Sequence, residues 1–389
     1  VTGSRALAGI VCAALSACLF AFVAPTAALA QSIELSGDDD MTAYRQIGVE
    51  ISAGKLRKGM IIEVRSGQDV HSYIAIGALK GLVNAVLRKV VDQGPGAWSA
   101  LRVPRLPKWL RSPLVAAWGS DAVMAMEQVQ FAGAPVDLSL ALPNEGLVKK
   151  LDGQVLPTGS VRLRDARQIS ALPGYDEGVW WVQDAAAAIP VLCLDPKPNE
   201  RIIDLCAAPG GKTLQLAAAG AQVVAVDTSE GRMARVRENL TRTGLQAELR
   251  VDDALNQTGQ YDAVLLDAPC SATGTIRRHP DLPHAKDGSE FMALFDLQTR
   301  LLDHAWTLLR PGGRLVYCTC SLLPDEGEVQ IEEALQRLDQ ISIDRKALER
   351  PGVDPAWISP EGGLRLRPHY WAEHGGMDGF YIAVLRKAG

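Results

Sequence analysis

The stretch DAPCSATGT sets Asp267 and Cys270 on either side of Pro269, and YCTCS carries Cys318 and Cys320. A thiolate is a strong nucleophile wherever its surroundings favour the charge, although a cysteine is more often a small core residue. Cys-x-Cys as half of a metal site has no second pair here to complete it, so zinc is not implied. A third stretch, DLCAAPGGKT over residues 204–213, follows an apolar run as a cofactor loop does. Its Gly211-Lys212-Thr213 ending imitates a phosphate loop, but that motif needs a glycine where Cys206 stands. Pro209 removes one more N–H from such a cradle, and Gly-x-Gly-x-x-Gly is absent. What remains is a tight strand-to-helix turn of small residues, where backbone can approach a flat ligand closely.

These residues need a scaffold that brings them to one edge. RIIDLC reads as a strand leading into the loop, and the helix KTLQLAAAG follows. QVVAVD, AELRVDDA and YDAVLLDAP read as further strands, with the helix SEGRMARVRENLTRTG between the first two. A helix over residues 292–309 precedes the Pro311-Gly312-Gly313 turn and the strand RLVYCTCS, and the helix DEGEVQIEEALQRL comes next. This alternation predicts an α/β fold, an open parallel sheet with helices on both faces, closed by GMDGFYIAVLRK as an antiparallel strand. Ligands of such sheets gather at the carboxyl ends of the strands, where a carboxylate on the second strand suits a ribose diol. Asp227 ends the second strand, Asp252-Asp253 the third and Asp267 the fourth. Any one of these acids could merely cap the turn after it. Together with the small-residue loop they suit a ligand with ribose hydroxyls, an amino group and an adenine, which is S-adenosylmethionine. Cys270 and Cys320 stand on the same rim, and strand alternation places Cys318 one pleat deeper, in the core.

A chain of 389 residues exceeds what one core usually serves. With 47% apolar and 22% charged residues it is of ordinary globular composition. A net charge of −5 leaves any nucleic-acid contact to local basic patches. Seven cysteines with no Cys-x-x-Cys point to a reducing compartment. The N-terminus disagrees: no residue between Arg5 and Glu34 is charged, and the run closes on Ala28-Leu29-Ala30, as a secretory signal does. A buried helix is the other reading of that segment. The expected organisation is a signal-like or atypical apolar segment over 1–33 and an atypical region over 34–95. A basic linker over 96–133, a small α+β module over 134–198 and the sheet domain over 199–389 complete it. Within 34–95, KLRKGMIIEVRSGQ is a short strand and residues 72–90 carry helical spacing. In the linker Arg102, Arg105, Lys108 and Arg111 have no acid among them, and prolines interrupt a stretch holding Trp109 and Trp118. It reads either as a segment packed on a neighbouring domain or as a basic face for a phosphate backbone.

Taken together, DLCAAPGGKT, VVAVDTSEGRMARVRENL, LLDAPCSATGTIRRHPD, LQTRLLDHAWTLLRPGGRLVYCTCSLLPDEGE and GGMDGFYIAVLRK resemble the RNA cytosine-C5 methyltransferases of the Nop/Sun type, from residue 135 onward. KGLVNAVLRKV is similar to the last helix of the NusB-like RNA-binding domain that precedes the catalytic part in that family. The resemblance implies a Rossmann-like class I methyltransferase domain, preceded by a small α+β module and a partial NusB-like helical region. It implies S-adenosylmethionine held by Cys206, Ala207, Ala208, Pro209, Gly210, Gly211, Lys212, Asp227, Asp253 and Asp267, with Arg232 in support and Asp267 also close to the target base. Cys320 would be the nucleophile and Cys270 the group that helps release product. The implied partner is RNA, 16S rRNA in the bacterial small-subunit branch, with no membrane partner and a monomeric chain in the cytoplasm.

Chemistry agrees with those roles. Cytosine C5 is a poor nucleophile until a thiolate adds at C6, and C6 is reachable only on an unpaired or flipped base. Lys212 is a candidate for the positive charge that favours the Cys320 thiolate. Arg277-Arg278-His279 could grip flanking phosphates or form solvated surface. Two departures stand out: the region ahead of residue 65 matches neither the length nor the sequence of a NusB-like bundle, and the family's Glu-Asn pattern after the second cysteine reads Asp325-Glu326-Gly327-Glu328. The alternative is a catalytically idle RNA-binding or ribosome-assembly factor keeping the fold, which would need neither thiol.

Overall fold

The computed structural model describes residues 33–37, 61–66, 69–74, 92, 102–165 and 168–389. The chain divides into two compact units, Val1–Arg102 and Val103–Gly389. In the first, β1 (Ile33–Gly37) pairs parallel with β2 (Ile61–Ser66), which pairs antiparallel with β3 (Asp69–Ile74). The helix expected from residue 72 therefore does not start there: Ser72, Tyr73 and Ile74 belong to a ladder with Ile61, Ile62 and Glu63. Strand pairing overrides a helical spacing whose apolar residues begin only at Leu79 in the sequence. The rest of that helix and residues 1–32 of the signal-like segment lie outside the described residues. Among the described residues no helix is long and apolar enough to cross a membrane.

The second unit opens with two helices, α1 (Lys108–Trp118) and α2 (Ser120–Ala132), joined at Gly119, whose φ of 80° suits glycine. Sequence alone suggested that prolines would break this stretch, yet α1 continues through Pro113. Tertiary burial outweighs the lost helical hydrogen bond. Leu110, Leu114, Val123 and Met126 pack against Ile276, Leu282, Leu322 and Leu323. Full burial of each such side chain contributes roughly 1.5–3 kcal/mol. Beyond α2, β4 (Asp137–Leu140), β5 (Gly153–Val155), β6 (Val161–Leu163) and β7 (Trp180–Val182) form an antiparallel sheet in the order β5-β6-β4-β7. Helix α3 (Glu145–Leu151) connects β4 to β5.

After α4 (Ala185–Leu194) comes the main sheet, β8 (Arg201–Leu205), β9 (Gln222–Asp227), β10 (Glu248–Val251), β11 (Tyr261–Asp267), β12 (Leu309–Thr319), β13 (Ile341–Ile343), β14 (Leu364–Leu366) and β15 (Phe380–Lys387). Its order is β10-β9-β8-β11-β12-β15-β13, with β14 on β15; β8 to β12 run parallel and β15 is antiparallel, as expected. Alternate residues feed two cores. Ile202, Ala263, Leu265, Val316 and Cys318 face one, with α4 and Leu216 of α5 (Gly211–Ala218). Ile203, Leu205, Val264 and Leu266 face the other, with Leu301, Leu302 and Ala305 of α8 (Phe291–Thr307) and Ile331 of α9 (Glu328–Arg337). Between these lie α6 (Glu230–Thr243) and the short α7 (Leu282–Ala285). The Pro311-Gly312-Gly313 segment is not a separate turn: β12 starts at Leu309 opposite Tyr261, and the register jumps so that Ala263 meets Arg314. The glycines let the strand bulge without ending it.

Buried charges tie the small sheet to the large one. Arg162 holds Asp137 through two 2.7 Å bonds, and Asp137 accepts from Ala185 N at 3.0 Å. Asp184, the N-cap of α4, pairs with Arg277, whose Nε donates to Asp378 at 3.0 Å; Arg278 takes the other oxygen of Asp378 at 2.7 Å. Asp378→Asn removes the charge facing both arginines, and breaking a buried ion pair from one side costs about 3–5 kcal/mol. Urea unfolding should show a loss of that order, whereas a change within experimental error would mean that the pair bears no weight in the fold.

Candidate active site

The loop after β8 begins at Cys206 with φ 62° and ends at Gly210 with φ 103°. Ala207 N donates to Val226 O at 2.9 Å and Ala208 N to Asp227 Oδ2 at 3.2 Å, which fastens the loop to β9. A Cβ on Gly210 would lie 3.0 Å from Val236 Cγ1, so both its conformation and its packing call for glycine. In the first turn of α5, buried Lys212 reaches back to Asp267 Oδ2 at 2.7 Å, with its ammonium 5.2 Å from the Phe380 ring centroid. Burial favours neutral Lys212, but Asp267 outweighs it and raises its pKa, so the pair is a charged one.

Past Asp267 the chain turns into the Cys270 loop, and past β12 it reaches Cys320. The two thiols touch, Sγ to Sγ at 3.4 Å. Gly274 N donates to Cys320 O at 2.9 Å and Leu322 N to Thr273 Oγ1 at 2.9 Å, so the loops are stitched together. The hydrogen bond to Cys320, then burial and the nearby charges raise the pKa of Cys270, which keeps its proton. Cys318 is buried as alternation predicted; burial and then Asp267 push its thiol well up, and its Sγ donates to Asp267 Oδ1 at 3.4 Å. Cys206 is likewise held protonated, first by burial and then by Asp267 and Asp227.

The strand-end acids differ in their surroundings. Asp227 is buried and accepts from Ser229 N at 2.9 Å and from Arg232 Nη2 at 2.8 Å. Arg232 is thus paired with Asp227. Asp253 is exposed and caps the following turn through Leu255 N at 2.9 Å. The loop of small residues, a row of carboxylates and the scarcity of facing cations fit S-adenosylmethionine, which carries a sulfonium and an ammonium. Arg277 corrects the sequence reading: it is neither a phosphate grip nor solvated surface, but buried against Asp184 and Asp378, while Arg278 and His279 stay exposed.

Glu326 and Asp204 escaped the sequence, while the segment holding Trp109 and Trp118 packs as one of its two readings expected. Glu326 is fully buried and accepts from Ser271 N at 2.8 Å, Ser271 Oγ at 2.5 Å and Gln298 Nε2 at 3.0 Å, fixing the residue after Cys270. It adjoins the position where attention went to a missing Asn. Trp109 and Trp118 of the presumed linker donate to Pro283 O at 3.0 Å and Leu322 O at 2.9 Å, so α1 buttresses both cysteine loops. Asp204, on the face of Asp267 and Cys318, accepts from Thr213 Oγ1 at 2.6 Å and leaves Oδ1 unpartnered among the described residues. A charged residue closing an apolar strand was the available signal for it.

The description 16S rRNA methyltransferase RsmB/F matches residues 191–386. The chain belongs to that family. Ribosomal RNA small subunit methyltransferase B of Erwinia tasmaniensis is 37% identical over 331 residues, covering 79% of this chain and 73% of that protein. Its namesake from Pseudomonas putida is 39% identical over 334 residues, with the same coverage. Among solved structures, a methyltransferase homolog protein from Pyrococcus horikoshii is similar, with TM-score 0.58 and 28% identity over 78% of this chain and 99% of that one. Membership of the RsmB/F family carries S-adenosylmethionine as cofactor and rRNA methylation as activity, and it bears out the Nop/Sun resemblance and the Rossmann-like α/β fold.

Burial pushes the Asp204 carboxyl up to about 7, Thr213 opposing the rise and Asp267 and Asp227 adding to it. The folded chain therefore holds a proton that the unfolded chain releases near pH ~4. Stability from this group is fully present at low pH and is lost as pH rises toward ~7. Asp204→Asn carries no such proton and keeps an acceptor for Thr213. Its stability relative to the parent should rise from about pH 5 to about pH 8, read from urea midpoints of cofactor-free protein. Parallel pH profiles would mean that Asp204 is ionised in the fold.

Proposed function

We propose that this chain methylates C5 of a cytosine in small-subunit rRNA, with Cys320 as the nucleophile and Cys270 assisting release. The observation that carries the reading is the 3.4 Å contact of two thiols at the strand-end rim, beside the Lys212–Asp267 ion pair. Lys212 and Arg278 both lie close enough to interact with a charge on Cys320.

In this reading the Cys320 thiolate adds to C6 of a flipped cytosine, and the electron pair moves to C5. Bound S-adenosylmethionine supplies the electrophilic methyl group that C5 takes. The C5 proton then goes to a base, the C6–S bond breaks and the ring double bond returns. Asp267, bridged to Lys212, accepts from the exocyclic amino group of the base. Cys270, protonated and in contact with Cys320, is placed to assist the departure of that sulfur. Backbone of Cys206, Ala207, Ala208, Pro209, Gly210 and Gly211 would hold the cofactor, with Asp227, supported by Arg232, taking its ribose and exposed Asp253 its adenine. The cytoplasm, where cofactor and rRNA meet, is the fitting compartment.

Labelled methyl transfer to small-subunit rRNA, followed by base mapping, tests the reading. Cys320→Ala should abolish transfer, a fall of at least about 10³-fold. Cys270→Ala should instead accumulate a covalent protein–RNA adduct visible on a denaturing gel. Undiminished transfer by Cys320→Ala would sink the assignment of the nucleophile, and absence of transfer by the parent would favour an assembly factor.

A further inference from the structure

Four successive backbone carbonyls follow the Cys320 sulfur, and each is taken. Cys320 O accepts from Gly274 N at 2.9 Å. Ser321 O accepts from Arg365 Nη1, and Leu323 O from Arg365 Nη2 at 3.5 Å. Leu322 O, between them, accepts from Trp118 Nε1 at 2.9 Å. The same Arg365 and Trp118 touch each other, the guanidinium lying 5.3 Å from the Trp118 ring centroid and 5.0 Å from that of Tyr381. Glu328 completes the hold with bonds of 3.0 Å to Nε and 2.5 Å to Nη2. Gly327 leaves the room: a Cβ there would stand 2.6 Å from Arg365 Nη2.

We propose that Arg365, with Trp118, is a positioning residue for methyl transfer, setting the Cys320 sulfur by clamping the three residues after it. Arg365 lies on β14 and Trp118 on α1, so two elements remote in sequence meet on one strap. Lysine could keep the charge but not the fork, because a guanidinium reaches several acceptors in fixed directions and an ammonium does not. The strap must be held because the sulfur has to meet C6 within a near-attack geometry, and a displacement of about 1 Å can lower a rate about 10²-fold. Arg365 itself is 2% exposed and touches neither base nor cofactor in this scheme. Its effect is therefore expected on the covalent step and not on cofactor affinity.

This inference rests on Cys320 being the nucleophile, so the test keeps the two apart. Arg365→Lys, Trp118→Phe and Cys320→Ala would be compared by adduct formation with small-subunit rRNA containing 5-fluorocytosine, S-adenosylmethionine affinity by calorimetry, and thermal melting. Trp118→Phe keeps an aromatic ring while removing the N–H and part of the indole volume, and its melting temperature reports whether it stays folded, so it decides the matter even if Arg365→Lys folds poorly. The expected result is adduct formation slowed about 10²-fold in Arg365→Lys and about tenfold in Trp118→Phe, with cofactor affinity within about twofold of the parent. Parental adduct rates in folded Trp118→Phe overturn the clamp, as does loss of cofactor affinity in step with the adduct rate. Adduct formation by Cys320→Ala overturns the nucleophile assignment instead.

Discussion

Asp267 lies opposite Cys318 where β11 and β12 pair in parallel, and a slip of one residue would turn every side chain on that rim over. The register leaves Cys270 and Cys320 a few residues past their strands, close enough for a 3.4 Å contact. It also keeps Asp267 and Cys318 on the face that β8 gives to Asp204, through pairing of Leu265 with Asp204. Loop geometry then has little left to decide. The hydrogen bonds between Gly274 and Cys320, and between Leu322 and Thr273, join loops whose origins the sheet has already aligned.

Charge is handled differently on the two sides of this rim. On the cofactor side, carboxylates outnumber cations, and three of them have distinct devices: Lys212 for half-buried Asp267, Arg232 and backbone N–H for Asp227, a retained proton for Asp204. These devices leave the site's own cations occupied, which suits a ligand that brings positive charge. On the side of the cysteine loops, arginines 277, 278 and 365 fix backbone and carboxylates. Arg278 alone among these three is well exposed, at 40%. It is the one in position to meet solvent or a substrate phosphate.

Much of this was legible in the sequence, and what was not has a common cause. Period-two alternation sufficed to put Cys318 in the core, and the missing glycine at Cys206 sufficed to reject a phosphate loop, because both are local rules. Arg277 was misread because its partners are Asp184 and Asp378, about a hundred positions away on either side. A charged triplet in sequence looks alike whether solvated or paired. The helix α1 was misjudged for the same reason: Pro113 is a local breaker, while Leu110 and Leu114 are held by residues near 276 and 322. Glu326 lay beside a position compared with a family pattern, and only the fold reveals that its acceptors face Ser271.

Buried ion pairs are weak evidence for stability, since well-packed apolar side chains often serve as well or better. Their retention here calls for another reason, and the identity of their hydrogen-bond partners supplies one. Arg365 ends on Ser321 and Leu323 carbonyls, Arg277 on the Gly375 carbonyl and Asp378, Glu326 on the backbone and hydroxyl of Ser271. Each fixes main chain within a few residues of Cys270, Cys320 or Gly379, and Gly379 N in turn donates to Gly274 O at 2.8 Å. Apolar replacements could fill the same volume without specifying where a carbonyl must sit. The proposed reaction, which requires sulfur, C6 and an incoming methyl group to align, tolerates little freedom in those segments. Directional bonds from buried charged groups supply that restriction where dispersion and burial, being non-directional, do not.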